Sequence, residues 1–432
     1  MSTRASRRSG PASRQAAAAR VLYLSYDGMC DPLGGSQVLP YLIGLAKRGH
    51  RISLISFEKP GRTVAERAVV ERLCAEAGID WQPLPYHKRP PVVSTLYDVR
   101  RMERLAARLH RDQRFDVVHC RSYVPALVGL RMKRRYGVRF LFDMRGFWAD
   151  ERVDGRIWNL ANPVLKAAYH YFKRREAEFL READHIVSLT EAGRQILLGW
   201  RRGRAGPPIS MISCCVDFDA FPAVTAKARA AARQTLGIAP EARVAAYLGS
   251  FGSWYMVEEM LAFFRVQLER DPGAIFLVIS REPADEILAT ATANCVPKDR
   301  LVVQSASRAD VPKLAAAADY GLFFIQPVFS KKASSPTKMG EFLALELSMV
   351  TNGDVGDVAR IMAETGAGVV VEAFEDRAYR EALEELDRLR PDMERWRQSS
   401  RRWLDLQTGI DRYDAIYRSL IKAAAKERGR VA

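Results

Sequence analysis

VLYLSYDGMCDPLGGSQVLPYLIGLAKRGHRISLISF, residues 21 to 57, holds the decisive pattern in one stretch: an apolar run, a glycine turn, a helical face and a second apolar run. Neither run alternates apolar with polar residues, so both faces of each strand are covered and the strands lie parallel with the helix crossing between them. The turn Asp31-Pro32-Leu33-Gly34-Gly35-Ser36 leads into Val38, Leu39, Leu42 and Leu45, spaced as the buried stripe of a helix over 38–48. The rhythm continues in DVVHC (116–120), RFLFDM (139–144) and HIVSL (185–189), with a helix expected over 97–111. After breaks at 203–208 and 218–226 it restarts with RVAAYLGS (243–250), AIFLVIS (274–280), LVVQ (301–304), YGLFFIQ (320–326) and MVTN (349–352). Repeated βαβ units predict an α/β protein of two Rossmann-like, doubly wound domains.

The chain has 432 residues, 48% of them hydrophobic and 27% charged, which supports folded cores and excludes disordered or collagen-like classes. The boundaries read as a disordered basic tail (1–20), an N-terminal domain (21–225), a C-terminal domain (226–405) and a last helix (406–432) packed back on the N-terminal domain. No apolar run approaches the roughly 18 residues of a membrane span and no signal segment is visible, so the expected address is cytoplasmic. The net charge of +16 is uneven: residues 1–230 hold 40 basic and 22 acidic side chains, against 27 and 29 in the remainder. A basic half of that size suits nucleic acid, anionic lipid or phosphorylated small molecules, and arginine excess from GC-rich coding gives the same figure with no partner at all. Basic and aromatic residues do not interleave as in a nucleic-acid module, so no nucleic-acid partner is expected.

Six cysteines show no CxxC, and no histidines stand at ligand spacing, so no metal is expected; Asp217-Phe218-Asp219 is too short a motif to imply one. The Gly34-Gly35 turn before a helix suits an anion, without the GxGxxG spacing of a dinucleotide site, and a turn needed only for tight packing reads equally well. LGSFGSWY (248–255) repeats the arrangement with Gly249, Ser250 and Gly252. In KKASSPTKMGEFLALELSMVTNGDVGD (331–357), Ser334, Ser335, Thr337 and Lys338 form a small polar loop before a helix beginning near Met339. Such a loop offers N–H groups, hydroxyls and a point charge to phosphate, while Glu341 can accept a diol or merely complement the helix dipole. His119 and Arg121 end a strand, where a crevice residue belongs. The basic, partly amphipathic segment 90–111 can rest on a membrane or serve as a solvated helix face.

Over residues 21 to about 420 the order of these pieces resembles the GT-B glycosyltransferases, in family 4 of the glycosyl transferases group 1. The resemblance is carried by Gly34-Gly35, SLTEAG (188–193), MISCCVDFDAF (211–221), LGSFGSWY and ASSPTKMGEFLA (333–344). Most members hold two glutamates eight positions apart in the last motif; here Glu341 matches the second and Ala333 takes the place of the first. The resemblance implies two Rossmann-like domains facing a central cleft, a nucleotide-sugar donor on the C-terminal side and a carbohydrate or lipid-linked acceptor on the N-terminal side. Carried over, Glu341 binds the donor ribose; Ser334, Ser335, Thr337 and Lys338 face its phosphates; Gly34, Gly35, Gly249 and Ser250 line the cleft. The family's Arg-x4-Lys pair is incomplete, since Arg281 is followed five residues on by Glu286, and Asp143 stands at the usual place of a histidine. Lys338, Asp143 and Arg145 are the implied catalytic residues, with Arg281 at the leaving phosphate and Arg121 and Asp150 toward the acceptor. The implied activity is metal-independent, retaining hexosyl transfer without a cofactor, to an envelope polysaccharide, lipid-linked or secondary-metabolite acceptor; the basic N-terminal half and segment 90–111 add an anionic membrane surface as a candidate partner. An epimerase or hydrolase of the same fold, or a non-catalytic scaffold, are the alternatives.

Overall fold

Arg20–Ser25 is buried at every position after its first, and Val117–Arg121 and Val244–Leu248 are buried throughout, as strands with helices on both faces are. The computed structural model describes residues 18–431 apart from 62, 91 and 253. Its first sheet is built from β1 (Arg20–Ser25), β2 (Arg51–Glu58), β3 (Asp80–Pro85), β4 (Val117–Arg121), β5 (Arg139–Asp143), β6 (His185–Ser188) and β7 (Ile209–Met211). All pairings are parallel, in the order β3-β2-β1-β4-β5-β6-β7. The second sheet holds β8 (Val244–Leu248), β9 (Ile275–Ile279), β10 (Leu301–Gln304), β11 (Tyr320–Leu322), β12 (Ser348–Asn352) and β13 (Gly368–Val371), also parallel, in the order β10-β9-β8-β11-β12-β13. Both sheets are doubly wound, as expected.

Several local expectations change. The disordered tail was drawn too long: Ala19 is fully buried and β1 starts at Arg20, while residues 1–17 of that tail lie outside the described residues. Asp31–Ser36 is not an open turn, because Pro32–Gln37 is a short helix that breaks at Val38 before a second helix, Leu39–Lys47. Pro32 and Pro40 occupy the first turns of these helices, where a missing N–H costs nothing. YGLFFIQ leaves its ladder after Leu322, since the Asn352 side chain takes both the N–H and the carbonyl of Ile325.

The chain crosses between the domains twice, and the two crossings are tied together: Val216 N–H donates to Leu404 O at 2.8 Å and Leu406 N–H donates to Val216 O at 2.9 Å. The helix Leu406–Val431 then returns to the first sheet, and Ile410, Tyr413, Ile416, Tyr417 and Leu420 share a core with Val21, Tyr23, Leu42 and Leu45.

Candidate active site between the sheets

In a doubly wound sheet the crevice opens where the strand order reverses, at the carboxyl ends of the strands. Those points are β1/β4 in the first sheet and β8/β11 in the second.

At the second, β8 runs into Gly249, whose φ of +106° only glycine adopts without strain. A Cβ built there would stand 3.6 Å from the Lys338 amine. Lys338 lies in the first turn of the helix Thr337–Ala344, which follows Pro336. Its Nζ is buried with no hydrogen-bond partner among the described residues, 3.7 Å from the ring centre of Tyr247 and 3.4 Å from that of Tyr255. Burial pushes the amine well below its ordinary pKa, with Glu341 pulling the other way. One turn on, Glu341 is buried and accepts a hydrogen bond from Arg308 Nη1 at 2.9 Å. Ser335 Oγ accepts from the Cys214 N–H at 3.1 Å, binding this loop to the interdomain stretch. Thr337 is partly exposed at the helix start, and Ser334 is partly exposed beside it. Ser250 is exposed, and its carbonyl accepts from the Tyr247 hydroxyl. Arg281 is exposed beyond the end of β9 and takes no ion pair among the described residues; its neighbour Glu282 instead accepts from the Phe251 N–H at 3.0 Å.

At the first switch point Arg121 ends β4 and Asp143 ends β5, side by side in register. Asp143 Oδ2 accepts from the Tyr413 hydroxyl at 3.0 Å and lies 3.4 Å from His119 Nε2. His119 Nδ1 is 2.7 Å from the Tyr417 hydroxyl. Burial presses the Asp143 pKa upward, but Arg145, His119 and Arg121 together hold its carboxyl below the usual range. Arg145, at φ +56°, donates to Cys214 Sγ at 3.2 Å. Asp143 Oδ1, Arg145 Nε and Arg121 Nη1 are all buried without a hydrogen-bond partner among the described residues. Gly34 and Gly35 behave differently from each other. A Cβ on Gly34 would overlap the Gly28 carbonyl, whereas one on Gly35 would meet only the Met29 carbonyl at 4.0 Å. The packing reading therefore describes Gly34. Asp150 stands apart: Tyr169 and Lys173 take its two oxygens at 2.9 and 2.8 Å. The Asp217 carboxylate accepts from the Asp219 N–H, an ordinary turn.

Between these halves the loop 329–335 reaches across. Lys331 pairs with Glu151 at 2.7 Å, and the Ser330 N–H donates to Asp154. The Thr190 hydroxyl donates to Lys332 O, and Phe329 stacks on Phe147 at 5.1 Å. Asp357 accepts from the N–H groups of Glu191 and Ala192, capping the helix Glu191–Trp200 from the other domain. Ala333 is buried in the N-terminal core, with its Cβ 3.1 Å from where a Cβ on Gly193 would stand. Arg308, the tyrosine pair around Lys338 and the hydroxyls of Tyr413 and Tyr417 were not identified from sequence. Tyr255 sits inside the LGSFGSWY motif and Tyr413 and Tyr417 share a helix face, whereas Arg308 carries no local signal.

The same fold recurs widely among solved structures. Sucrose-phosphate synthase from Thermosynechococcus elongatus superposes with a TM-score of 0.71 at 14% identity, covering 94% of this chain and 100% of that one. Anabaena HepE, solved with UDP and glucose, gives 0.66 at 12% identity over 92% and 99%. WaaG, a glycosyltransferase involved in lipopolysaccharide biosynthesis, gives 0.59 at 16% identity over 92% and 99%. No curated protein matches the sequence. The two domains are thus those of the GT-B glycosyltransferase fold. Within it, residues 37–220 match the family model of Glycosyltransferase Family 4, as the motifs indicated.

Proposed function

We propose that this protein transfers a hexose from a nucleotide sugar to an acceptor held by the N-terminal domain, with retention of anomeric configuration and without metal or cofactor. The observation that carries the reading is the Lys338 amine: buried, without a hydrogen-bond partner among the described residues, beside Gly249 at the β8/β11 switch point and at the start of a helix. As the bond from the anomeric carbon to the diphosphate breaks, its electron pair goes to the leaving phosphate oxygen. A buried amine and a helix N-terminus together stabilise that charge. Ser334, Ser335 and Thr337 adjoin the same phosphates, and Gly249 and Ser250 border them; Arg281 lies further out. Glu341, oriented by Arg308, receives the ribose diol. The unpartnered atoms of Asp143, Arg145 and Arg121 receive sugar hydroxyls, while Asp150 supports the domain through Tyr169 and Lys173. UDP in HepE and the lipopolysaccharide role of WaaG favour a uridine donor and an envelope acceptor, lipid-linked and met at the cytoplasmic face of a membrane.

Thermal shift against UDP, GDP and ADP sugars tests the donor site: at least one is expected to stabilise the parent, and Glu341→Ala to weaken that effect. Stabilisation by none refutes the reading. Product analysis separates transfer from hydrolysis, which releases free sugar in the absence of acceptor. A second reading, a non-catalytic scaffold, is favoured by Ala333, a buried methyl where the family motif places a carboxylate. Donor binding without turnover over any acceptor would select it.

A further inference from the structure

The helix Val93–Gln113 turns an unusual face outward. Exposed residues Val93, Leu96, Tyr97, Arg100, Arg104, Arg108 and Arg111 fall at steps of 3, 4, 7, 11, 15 and 18 from the first, so they form one stripe at 100° per residue. Its first turn is apolar: with Val92 just before it, Val93, Leu96 and Tyr97 are 40, 60, 50 and 51% exposed. The rest is arginine, and none of Arg100, Arg104, Arg108 or Arg111 makes an ion pair among the described residues. Several exposed arginines on other helices behave otherwise, Arg67, Arg134, Arg377 and Arg388 each facing a glutamate, while Arg135, Arg174 and Arg265, which also lack an ion pair among the described residues, stand singly on three different helices. The nearby acids are diverted. Asp98 is buried and bound by Tyr26 and His87, Glu103 pairs with Arg131, and Asp112 lies off the stripe. Lys88 and Arg89 add exposed charge beside the apolar turn.

The stripe is placed by the sheet. β3 ends at Pro85 on the carboxyl edge that borders the cleft, and the helix runs back from there. Tyr26, which follows β1 at the switch point, holds Asp98 through its hydroxyl at 3.0 Å. The apolar turn therefore stands at the acceptor-side rim of the cleft. No described helix is long and apolar enough to cross a membrane.

We propose that the apolar turn Val92–Tyr97 and the arginine stripe behind it dock the N-terminal domain on an anionic lipid bilayer, the apolar side chains entering the headgroup boundary and the arginines lying over acidic lipid. Charge complementarity chooses the occupant, and the apolar tip separates a bilayer from a soluble polyanion, which has no place for it. The proposal deepens the reading of a lipid-linked acceptor, to which it owes its orientation, but the docking itself does not need a sugar donor.

The full chain is to be sedimented with phosphatidylcholine vesicles, with and without one-third phosphatidylglycerol, at low and high salt. Binding is expected only to the anionic vesicles and only at low salt. Replacing Arg100, Arg104 and Arg108 together by Gln should weaken it roughly 100-fold, about fivefold per charge. Val93→Ser with Leu96→Ser, which leaves the charge unchanged, should weaken it about tenfold. All these positions are exposed, and unchanged thermal unfolding checks the fold of each variant. Absence of vesicle binding overturns the proposal, and so does binding that depends on the arginines but ignores Val93 and Leu96, the mark of general polyanion adhesion. A thermal shift with nucleotide sugars on the same preparations keeps the outcomes apart: lost donor binding with intact docking refutes the proposed function, and the reverse refutes the docking surface.

Discussion

Replacing Lys338 by methionine should raise stability and lower ligand affinity at once. The amine is buried, lacks a hydrogen-bond partner among the described residues and contacts the faces of Tyr247 and Tyr255. Taking an ammonium out of water costs several kcal/mol, and two ring faces return about 2 kcal/mol or somewhat more. The apo protein thus carries a penalty on the order of 1–3 kcal/mol, close to that of any unsatisfied buried polar group. Methionine fills the same channel and contacts both rings through sulfur. The variant is expected to melt about 2–4 °C higher for each kcal/mol recovered. The gain depends on pH with a fixed sign. The unfolded chain keeps its lysine proton up to about the ordinary value of 10.5, whereas the folded amine loses it lower. The parent therefore gains stability as pH rises between the folded value and 10.5, and the gap between variant and parent narrows over that window. In the same preparation, affinity for a nucleoside diphosphate should fall about 10–100-fold, the loss of a charge-assisted hydrogen bond. Differential scanning fluorimetry and calorimetric titration read the two effects. A variant that melts lower and binds the nucleotide unchanged would show the lysine to be a structural element and refute the reasoning.

Other positions give independent checks. Gly34→Ala forces a methyl onto the Gly28 carbonyl and should cost about 1–3 kcal/mol in thermal unfolding, whereas Gly35→Ala, with open space, should be neutral or mildly stabilising; equal effects would contradict the packing. Asp357→Ala frees the N–H groups of Glu191 and Ala192, worth about 1–2 kcal/mol of contact between the domains. Small-angle scattering should then show a larger radius of gyration, and an unchanged profile would count against the bridge. Tyr413→Phe leaves Asp143 buried with one donor fewer and should lower the urea midpoint by the equivalent of about 1–3 kcal/mol. No shift would mean that the terminal helix does not hold that carboxylate.

The doubly wound architecture was legible because central strands of a parallel sheet are continuous apolar runs. Three of the four edge strands were not: β3 reads DWQPLP, with prolines tolerated only where one side lacks a partner, β7 is three residues long and β13 four, whereas the edge strand β10 was read directly from LVVQ. In the candidate site, local motifs located Lys338, Glu341 and Gly249, since a helix start and a glycine turn leave a mark in a few consecutive residues. What they meet was hidden by distance along the chain. Arg308 reaches Glu341 from 33 positions away, and Tyr413 reaches Asp143 from 270. The spacing of Asp143, Arg145 and Asp150 gave no means of telling that the first two turn toward the switch point while the third supports a helix. Ala333 shows a different limit: its methyl registered as a missing glutamate, and only packing shows that it lies against the Gly193 helix.

The returning helix Leu406–Val431 gives the molecule an order of assembly. The core formed by Val21 and Tyr23 of the first sheet with Leu42 and Leu45 of the helix Leu39–Lys47 is completed by side chains translated last, and Gly44 lacks a side chain where Ile410 presses in. During synthesis the N-terminal domain therefore emerges first yet waits, its apolar flank bare, until the whole C-terminal domain has left the ribosome. Chains that stop short of residue 406 leave both a solvent-facing hydrophobic wall and an Asp143 without its tyrosine, so a truncated product is marked for aggregation or proteolysis before it can hold a substrate.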